Sequence, residues 1–283
     1  MNGLERGIHD KRGYLERLSK PLQEKMRIAE FIDRGAKDIL DVGCADGVVT
    51  DALAHAFPQA RVYGIDLDES FIGEATQRAQ GAEHTPAYEK VYLRQLLERP
   101  ERYDAVTFAS VLHEFYTYGN REPSVMKAIA DAYELLKPGG RIVIRDMILS
   151  ERMKEATLPA LSTIGKIRAH PDMQSRIADF EAAHGPLSSL YSVNHFLLKY
   201  MYTDNWEREC PEHYVPVTRE QYEQLFAWLK AELVERKTYL IPYLRETWRN
   251  DFGLTDTELM NFFSTTILVA EKPRDSDAFA PTR

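Results

Sequence analysis

Residues 39–47, ILDVGCADG, form a short apolar run that closes in a glycine-rich turn. A continuous apolar run bounded by glycine is typical of a strand that is buried on both faces. Small residues at Gly43, Ala45 and Gly47 would let the backbone approach a ligand closely, and the helix predicted to follow would direct free N–H groups at it. The spacing differs from the dinucleotide-binding pattern G-x-G-x-x-G. The stretch therefore predicts a ligand site at a strand-to-helix turn.

Strands and helices alternate on both sides of this turn. Besides the run at 38–43, strands are predicted over residues 61–67, 88–95, 103–110 and 141–146. The spacing of apolar residues predicts helices over 21–34, 47–57, 70–80 and 122–137. Ser70 is the expected N-cap of the third of these helices, and the KPGG turn at 137–140 is expected to end the fourth. Such alternation predicts an α/β fold with a doubly wound, mostly parallel sheet.

The second half of the chain departs from this alternation. Residues 151–216 are helix-prone, rich in aromatic residues and without a strand-like run. A connection of this length usually forms a lid or a binding wall. A helix over 218–233, strands over 233–241 and 264–272, and a mostly helical segment between these strands complete a seven-strand sheet. We expect a core of residues 21–150 and 217–272, a helical insertion over 151–216 forming a lid or acceptor pocket, an N-terminal arm over 1–20 and a tail over 273–283.

The composition narrows the class of protein. The chain has 283 residues, 44% of them hydrophobic, and a formal net charge of −8. An acidic chain repels polyanions on average, so nucleic acid is disfavoured as a partner. We expect no signal peptide, because residues 1–20 are charged and lack an apolar core, and no apolar run is long enough to span a membrane. Two cysteines, Cys44 and Cys210, are too few for a disulfide framework. We therefore expect a cytoplasmic protein that is not membrane-bound.

Several motifs resemble those of the class I S-adenosylmethionine-dependent methyltransferases. Asp41, two positions before Gly43, matches the acidic residue of the first family motif, and Ala45 stands where the family often has glycine. Asp66 ends the second predicted strand 23 residues after Gly43 and matches the second motif. The stretches YDAVTFASVLHEF and LLKPGGRIVIRD match the remaining core motifs. The resemblance covers roughly residues 25–150 and the last two strands, and it implies S-adenosylmethionine as cofactor and a reversed last strand.

The resemblance also implies a set of cofactor contacts. Gly43, Ala45 and Gly47 would line the methionine part of the cofactor, Asp41 would accept its ammonium hydrogens, and Asp66 would accept hydrogen bonds from the ribose hydroxyls. The complete expected set is Asp41, Gly43, Cys44, Ala45, Gly47, Asp66, Leu67, Ser110 and Val111.

Cys44 and the position that would bind adenine need separate comment. Cys44 is expected to be a small packing residue and not a nucleophile, because nothing near it in sequence would lower the pKa of its thiol. The family commonly has an acidic residue after the third strand, which holds the adenine amino group. The candidates at that place here are Arg94, Gln95 and Leu96.

His113 and Glu114 follow the fourth predicted strand directly and are the candidate catalytic residues. His113 would either act as a general base toward the acceptor or, with Glu114, shape the pocket while the cofactor provides the reactivity. Correct alignment of the acceptor can supply much of the acceleration. The segment HEFYT is not the zinc motif HExxH, because residue 117 is threonine, and no metal ligands are predicted.

The acceptor is expected to be a small molecule that accepts the methyl group on oxygen, nitrogen or carbon. Arg145 ends the fifth strand, where it would bind an acceptor anion or else pair with Asp146 or a helix end. Aromatic and histidine side chains of the insertion would either contact the acceptor, with His195 or His213 as a possible base, or form the core of a cap or a homodimer contact. The residues expected to face the acceptor are Tyr116, Arg145, His195 and Tyr202.

Two other functions fit the same residues. One is an RNA or tRNA methyltransferase, which a continuous basic rim around the pocket would favour. The other is a protein that binds S-adenosylmethionine without transferring its methyl group.

Overall fold

A computed structural model of the chain describes residues 22–274, so the predicted arm and all but the first two residues of the predicted tail lie outside the described residues. The strands of the described chain are β1 (Asp38–Val42), β2 (Arg61–Asp66), β3 (Ala87–Lys90), β4 (Tyr103–Ala109), β5 (Leu136–Asp146), β6 (Glu232–Tyr239) and β7 (Thr265–Glu271). They form one sheet in the order β3-β2-β1-β4-β5-β7-β6. The strands from β1 to β5 pair in parallel, whereas β7 pairs antiparallel with both β5 and β6. The predicted α/β fold, with a mostly parallel sheet and a reversed last strand, is confirmed.

Helices cover the sheet and form a second layer beyond it. They are α1 (Leu22–Lys25, continuing as a 3₁₀ helix over Met26–Phe31), α2 (Val48–Ala56), α3 (Glu69–Ala79), α4 (Leu112–Thr117), α5 (Glu122–Leu135), α6 (Leu158–Ala169), α7 (Gln174–His184), α8 (Leu190–Leu197), α9 (Trp206–Glu209), α10 (Arg219–Trp228), α11 (Pro242–Phe252) and α12 (Asp256–Leu259). Within residues 22–274, none of the helices has both the length and the apolar character needed to cross a membrane.

The central strands are buried on both faces, as their apolar sequences require. Because alternate side chains of a strand point to opposite sides, neighbouring residues of β1 belong to different cores. Ile39 lies in one core with Leu53 of α2. Leu40 lies in the other with Ile129 of α5. The sheet therefore carries helices on both faces, and the carboxyl ends of β1, β2, β4 and β5 meet at one edge.

The helices beyond the sheet come from two separate parts of the chain. Residues 151–216 contain α6 to α9, and residues 242–263 contribute α11 and α12; we call these two segments together the helical unit. Trp248 and Leu259 from the second segment share one hydrophobic core with Phe180 and Phe196 from the first. The sequence predicts an insertion of residues 151–216 alone, because the segment after β6 has no signal that joins it to the insertion.

One local prediction is wrong. The N-cap of α3 is Asp68 and not Ser70, because the Asp68 Oδ1 accepts hydrogen bonds from the N–H groups of Ser70 at 2.9 Å and Phe71 at 3.2 Å.

The KPGG segment follows the end of α5 at Leu135, as predicted, but it also forms an irregular beginning of β5. Gly139 has a φ of 78°, and the pairing of β5 with β4 passes from Leu136 to Arg141. The Gly139 N–H donates to the Lys272 carbonyl at 2.8 Å.

The third strand is shorter than predicted. β3 spans only Ala87–Lys90, and the chain then turns into a 3₁₀ helix over Leu93–Glu98. The residues considered for adenine recognition lie in this 3₁₀ helix and make internal contacts. Arg94 pairs with Asp131 at 3.0 Å, the Gln95 side chain accepts a hydrogen bond from the Tyr92 N–H at 3.0 Å, and Leu96 is buried.

Candidate functional site

The turn after β1 has no room for a side chain at Gly43 or Gly47. Gly43, Ala45 and Gly47 all have positive φ, at 71°, 47° and 81°. A Cβ at Gly43 would lie 2.9 Å from the Cβ of Val111 and closer still to its Cγ2. A Cβ at Gly47 would lie 2.7 Å from two ring atoms of Tyr88. Both positions require glycine, because their φ is positive and because the side chains of Val111 and Tyr88 approach them closely.

A cleft of about 530 Å³, its open mouth included, lies at this edge of the sheet. Seven of the nine residues predicted to contact the cofactor line this cleft. The other two, Gly47 and Leu67, are described by the structure but do not line it. Glu114, predicted to be catalytic, also lines the cleft. The lining residues are Lys25, Asp41, Gly43, Cys44, Ala45, Asp46, Val48, Val49, Asp66, Ala109, Ser110, Val111 and Glu114.

Asp41 is buried at the floor of the cleft. Its carboxylate accepts hydrogen bonds from the hydroxyls of Thr50 at 2.7 Å and Thr107 at 2.8 Å. Burial raises the pKa of Asp41, although both threonines and the nearby charge of Lys25 oppose this rise. The carboxylate is therefore held in one orientation by β4 and α2, with a cation close by.

Lys25 is a cleft residue that the sequence does not reveal. It ends α1, before the first motif, and no spacing connects it with the turn after β1. Burial and the neighbouring Arg145 lower the pKa of the Lys25 ammonium, while Asp41 and two other carboxylates act in the opposite direction. Only the fold brings this side chain to the cleft.

Asp66 connects the two predicted cofactor motifs. Its Oδ2 accepts a hydrogen bond from the Ala45 N–H at 2.9 Å. Its Oδ1 accepts from the N–H groups of Leu67 at 2.7 Å and Asp68 at 2.9 Å. A carboxylate oxygen has more than one acceptor direction, so Asp66 can hold the turn and still accept hydrogen bonds from a ligand in the cleft.

Arg145 lies inside the protein and not at an open acceptor site. Its Nη1 donates to the Ser110 hydroxyl at 2.8 Å, its Nε to the Glu24 carbonyl at 3.1 Å, and its Nη2 to the Thr265 hydroxyl at 3.4 Å. Ser110 has a φ of 62°, which is unusual for a non-glycine residue. The alternative in which Arg145 contacts a helix end thus matches the structure, because Glu24 lies in α1. In the structure Arg145 braces the wall of the cleft through Ser110, and its predicted role in binding the acceptor stays a prediction.

His113 is buried and forms a pair with Asp146. The His113 Nδ1 lies 3.1 Å from the Asp146 Oδ1, and Asp146 also accepts from the N–H groups of Leu112 and Met147, both at 2.8 Å. Burial disfavours the charged imidazole, but Asp146, assisted by Glu212 and Glu114, raises the pKa of His113 to about 9. This shift favours the protonated imidazole at neutral pH, and the role of His113 as a base or as a pocket-shaping residue stays a prediction.

The other predicted acceptor residues form an aromatic cluster where α4 meets the helical unit. The Tyr116 ring lies 5.2 Å from that of His213, and the Tyr202 ring 6.2 Å from that of Tyr214. The His195 Nε2 accepts a hydrogen bond from the Tyr214 N–H at 3.2 Å. None of the three predicted residues lines the cleft in the described part of the chain, so an acceptor site there stays a prediction.

Comparisons with known proteins point to one domain family. Residues 40–142 match the family model described as a methyltransferase domain. The ubiquinone biosynthesis O-methyltransferase of Nitrosospira multiformis is 33% identical over 128 residues, which are 43% of this chain and 49% of that protein. The protein of the same name from Methylococcus capsulatus is 33% identical over 104 residues, 36% of this chain and 40% of that protein. The chain thus spans about half, or less, of the relatives it matches.

Solved structures share the fold. An O-methyltransferase family protein from Burkholderia thailandensis has a TM-score of 0.53 at 14% identity, covering 93% of this chain and 58% of that one. The plantazolicin methyltransferase BpumL also has a TM-score of 0.53 at 14% identity, covering 94% of this chain and 92% of that one. At this identity the likeness establishes the fold and not the substrate.

Proposed function

We propose that the protein is a class I S-adenosylmethionine-dependent methyltransferase that acts on a small-molecule acceptor, because residues 40–142 match the family model of a methyltransferase domain. The methyl group would pass to an oxygen, nitrogen or carbon nucleophile. One observation carries the proposal: the glycine-rich turn, Asp41 and Asp66 converge on a single cleft at the carboxyl edge of the sheet.

The cleft residues match the polar groups of S-adenosylmethionine. The cofactor has a carboxylate and an ammonium group at its methionine end, and two hydroxyls on its ribose. Asp41 and Lys25 offer opposite charges at the floor, and Asp66 offers carboxylate oxygens beside the turn. The positive φ values at Gly43 and Ala45 keep this wall free of bulky side chains. We propose that the methionine end lies between Lys25 and Asp41 and that the ribose lies at Asp66.

The proposed chemistry needs orientation more than proton transfer. When bound, S-adenosylmethionine supplies a sulfonium methyl group that is already electrophilic. The chain must hold the acceptor in line with this methyl and exclude water. Glu114 is the titratable side chain of α4 that lines the cleft, so we place it next to the acceptor. His113, paired with Asp146 and protonated, would be a positioning residue that fixes the start of α4.

The helical unit is the proposed wall of the acceptor pocket. It contacts α4 through the His213 N–H, which donates to the Thr117 hydroxyl at 3.0 Å, and through Tyr214, whose ring lies 5.4 Å from that of His113. Because α4 also carries Glu114, the unit stands beside the cleft. A cover in this position would order the acceptor and limit the access of water.

The cysteines support a reducing compartment as the site of action. Cys44 and Cys210, the two cysteines of the sequence, are both unpaired and buried. We propose that the protein works in the cytoplasm, where free thiols persist.

A transfer assay tests the proposed function. The full chain is incubated with S-adenosylmethionine labelled on its methyl group and with fractionated metabolite extracts, and labelled products are identified by mass spectrometry. We expect label to appear in at least one small molecule, and Asp66→Asn to reduce this transfer strongly. Intact cofactor binding without transfer to any fraction would favour the non-catalytic alternative, and label in RNA would favour the nucleic-acid alternative.

A further inference from the structure

Three histidine side chains of the helical unit converge outside the cleft. His184 ends α7, His195 lies in α8, and His213 lies in the loop before α10. Their ring centroids are separated by 4.4 Å for His184 and His195, 4.8 Å for His195 and His213, and 5.4 Å for His184 and His213. One nitrogen from each ring lies within 4.8 Å of the other two. The sequence predicts no such site, because 10 and 17 residues separate the three positions along the chain.

We propose that His184, His195 and His213 bind a divalent transition-metal ion, with zinc as the best fit. Imidazole nitrogens suit zinc, and three protein ligands with one open position are a common arrangement for it. In a tetrahedral site with bonds of about 2.0–2.1 Å, the nitrogens lie roughly 3.3 Å apart and the ring centroids roughly 5 Å apart. The observed centroid distances already bracket this value. The nitrogens, which lie within 4.8 Å of one another, would have to approach by up to roughly 1.5 Å to reach this spacing.

The hydrogen bonds of the cluster define which ring nitrogen of His184 could bind a metal. The His184 Nε2 lies 2.6 Å from the Cys210 carbonyl oxygen, a contact that requires a hydrogen on Nε2 and therefore leaves the lone pair on Nδ1. A second ring nitrogen that donates to a backbone carbonyl is the usual outer contact of a metal-binding histidine. The His195 Nε2 accepts a 3.2 Å hydrogen bond from the Tyr214 N–H, which a metal ion at this nitrogen would displace.

His213 supplies an independent observation. Its Nδ1 is buried and has no hydrogen-bond partner among residues 22–274. Such an atom costs free energy, and a bound cation is one way to satisfy it.

The charges around the cluster set the expected strength of binding. Lys199 lies 3.4 Å from the His184 Nε2 and donates to the carbonyls of Glu209, Cys210 and Glu212, so its positive charge opposes a second cation. The carboxylates of Glu209 and Glu212 lie nearby and oppose this effect of Lys199. We expect micromolar affinity and not the much tighter binding of structural zinc sites. The metal would fasten α7, α8 and the His213 loop together.

Metal binding to the full chain tests this proposal. The protein is purified without a histidine tag, treated with a chelator and titrated with Zn²⁺ alone in a calorimeter; Co²⁺ is added separately to record its visible absorption. We expect one equivalent of Zn²⁺ to bind. At a hundredfold excess over the dissociation constant, the thermal midpoint should rise by roughly 5–10 °C.

Variants identify the ligands. His213→Gln should weaken Zn²⁺ binding at least tenfold and abolish the thermal shift, while the matched control His84→Gln, at a histidine outside the helical unit, should retain both. S-Adenosylmethionine binding and circular dichroism show whether each variant is folded, independently of the metal. Failure of the parent protein to bind one equivalent of Zn²⁺, or undiminished binding by a folded His213→Gln variant, would overturn the proposal.

Discussion

The Asp66 carboxylate accepts a hydrogen bond from the backbone N–H of Ala45 at 2.9 Å. This bond joins the end of β2 to the glycine-rich turn after β1, so the two cofactor motifs form one unit. Asp66 therefore has two tasks, since it stabilises the conformation of the turn and also presents oxygens to the cleft. A change at Asp66 should alter cofactor affinity through both.

Asp66→Asn should weaken S-adenosylmethionine binding by about 1–3 kcal/mol, because an amide nitrogen cannot accept the hydrogen bonds that a carboxylate oxygen accepts. Calorimetry measures this loss directly. Glu69→Gln is the matched control, since Glu69 is an exposed acidic residue three positions further on, paired with Lys90 at the surface. Equal affinities of Asp66→Asn and the control would remove Asp66 from the ribose site.

Gly43→Ala should destabilise the protein by about 1–3 kcal/mol and reduce cofactor binding. The added Cβ would collide with Val111, and the φ of 71° is strained for alanine. Gly73→Ala in α3 is the control, because a Cβ there meets nothing within 4 Å. The control should instead stabilise the protein by about 0.5–1 kcal/mol. Urea denaturation measures the free energy of unfolding of both variants. A Gly43→Ala protein as stable as the control would contradict the close approach of Val111 to Gly43.

The pair of His113 and Asp146 should make stability depend on pH. The pKa of His113 is raised from 6.5 to about 9 in the folded protein, so the stabilisation is fully present below pH 6.5 and is lost as the pH rises through about 9. We expect the free energy of unfolding of the parent protein to fall over this range by on the order of 2–3 kcal/mol relative to His113→Gln. Denaturation series at several pH values give this difference. A difference that does not change with pH would show that the pKa of His113 is the same in the folded and the unfolded protein.

The shared core of the helical unit should make Trp248 important for both of its segments. Trp248 is fully buried in a core with residues of 151–216, and its Nε1 has no hydrogen-bond partner in the described chain. Trp248→Ala should cost about 3–5 kcal/mol. Trp248→Phe should cost much less, because it keeps most of the volume and removes the unpaired N–H. Similar losses for both variants would argue against this view of the core.

The sequence predicts the sheet and the glycine-rich turn because their signals are local. The buried strand and the small residues after it occupy consecutive positions 39–47, and Asp66 lies 23 residues after Gly43. The fold adds Lys25, which reaches the cleft from a helix before the first motif. No periodicity connects it with the turn, so only tertiary structure reveals it.

Other features escape the sequence because they depend on partners far away in the chain. The role of Arg145 depends on Ser110, Glu24 and Thr265, which lie in three different segments. The joining of residues 151–216 and 242–263 into one helical unit depends on side-chain packing across β6. Long-range contacts of this kind leave no pattern at the period of a helix or a strand.

Calorimetric titration of the full chain with S-adenosylmethionine, and separately with S-adenosylhomocysteine, measures whether the cleft binds the cofactor. We expect one equivalent of each to bind in the micromolar range, and we expect Gly43→Ala and Asp66→Asn both to weaken this binding. Undetectable binding of both compounds to the folded parent protein would contradict this expectation.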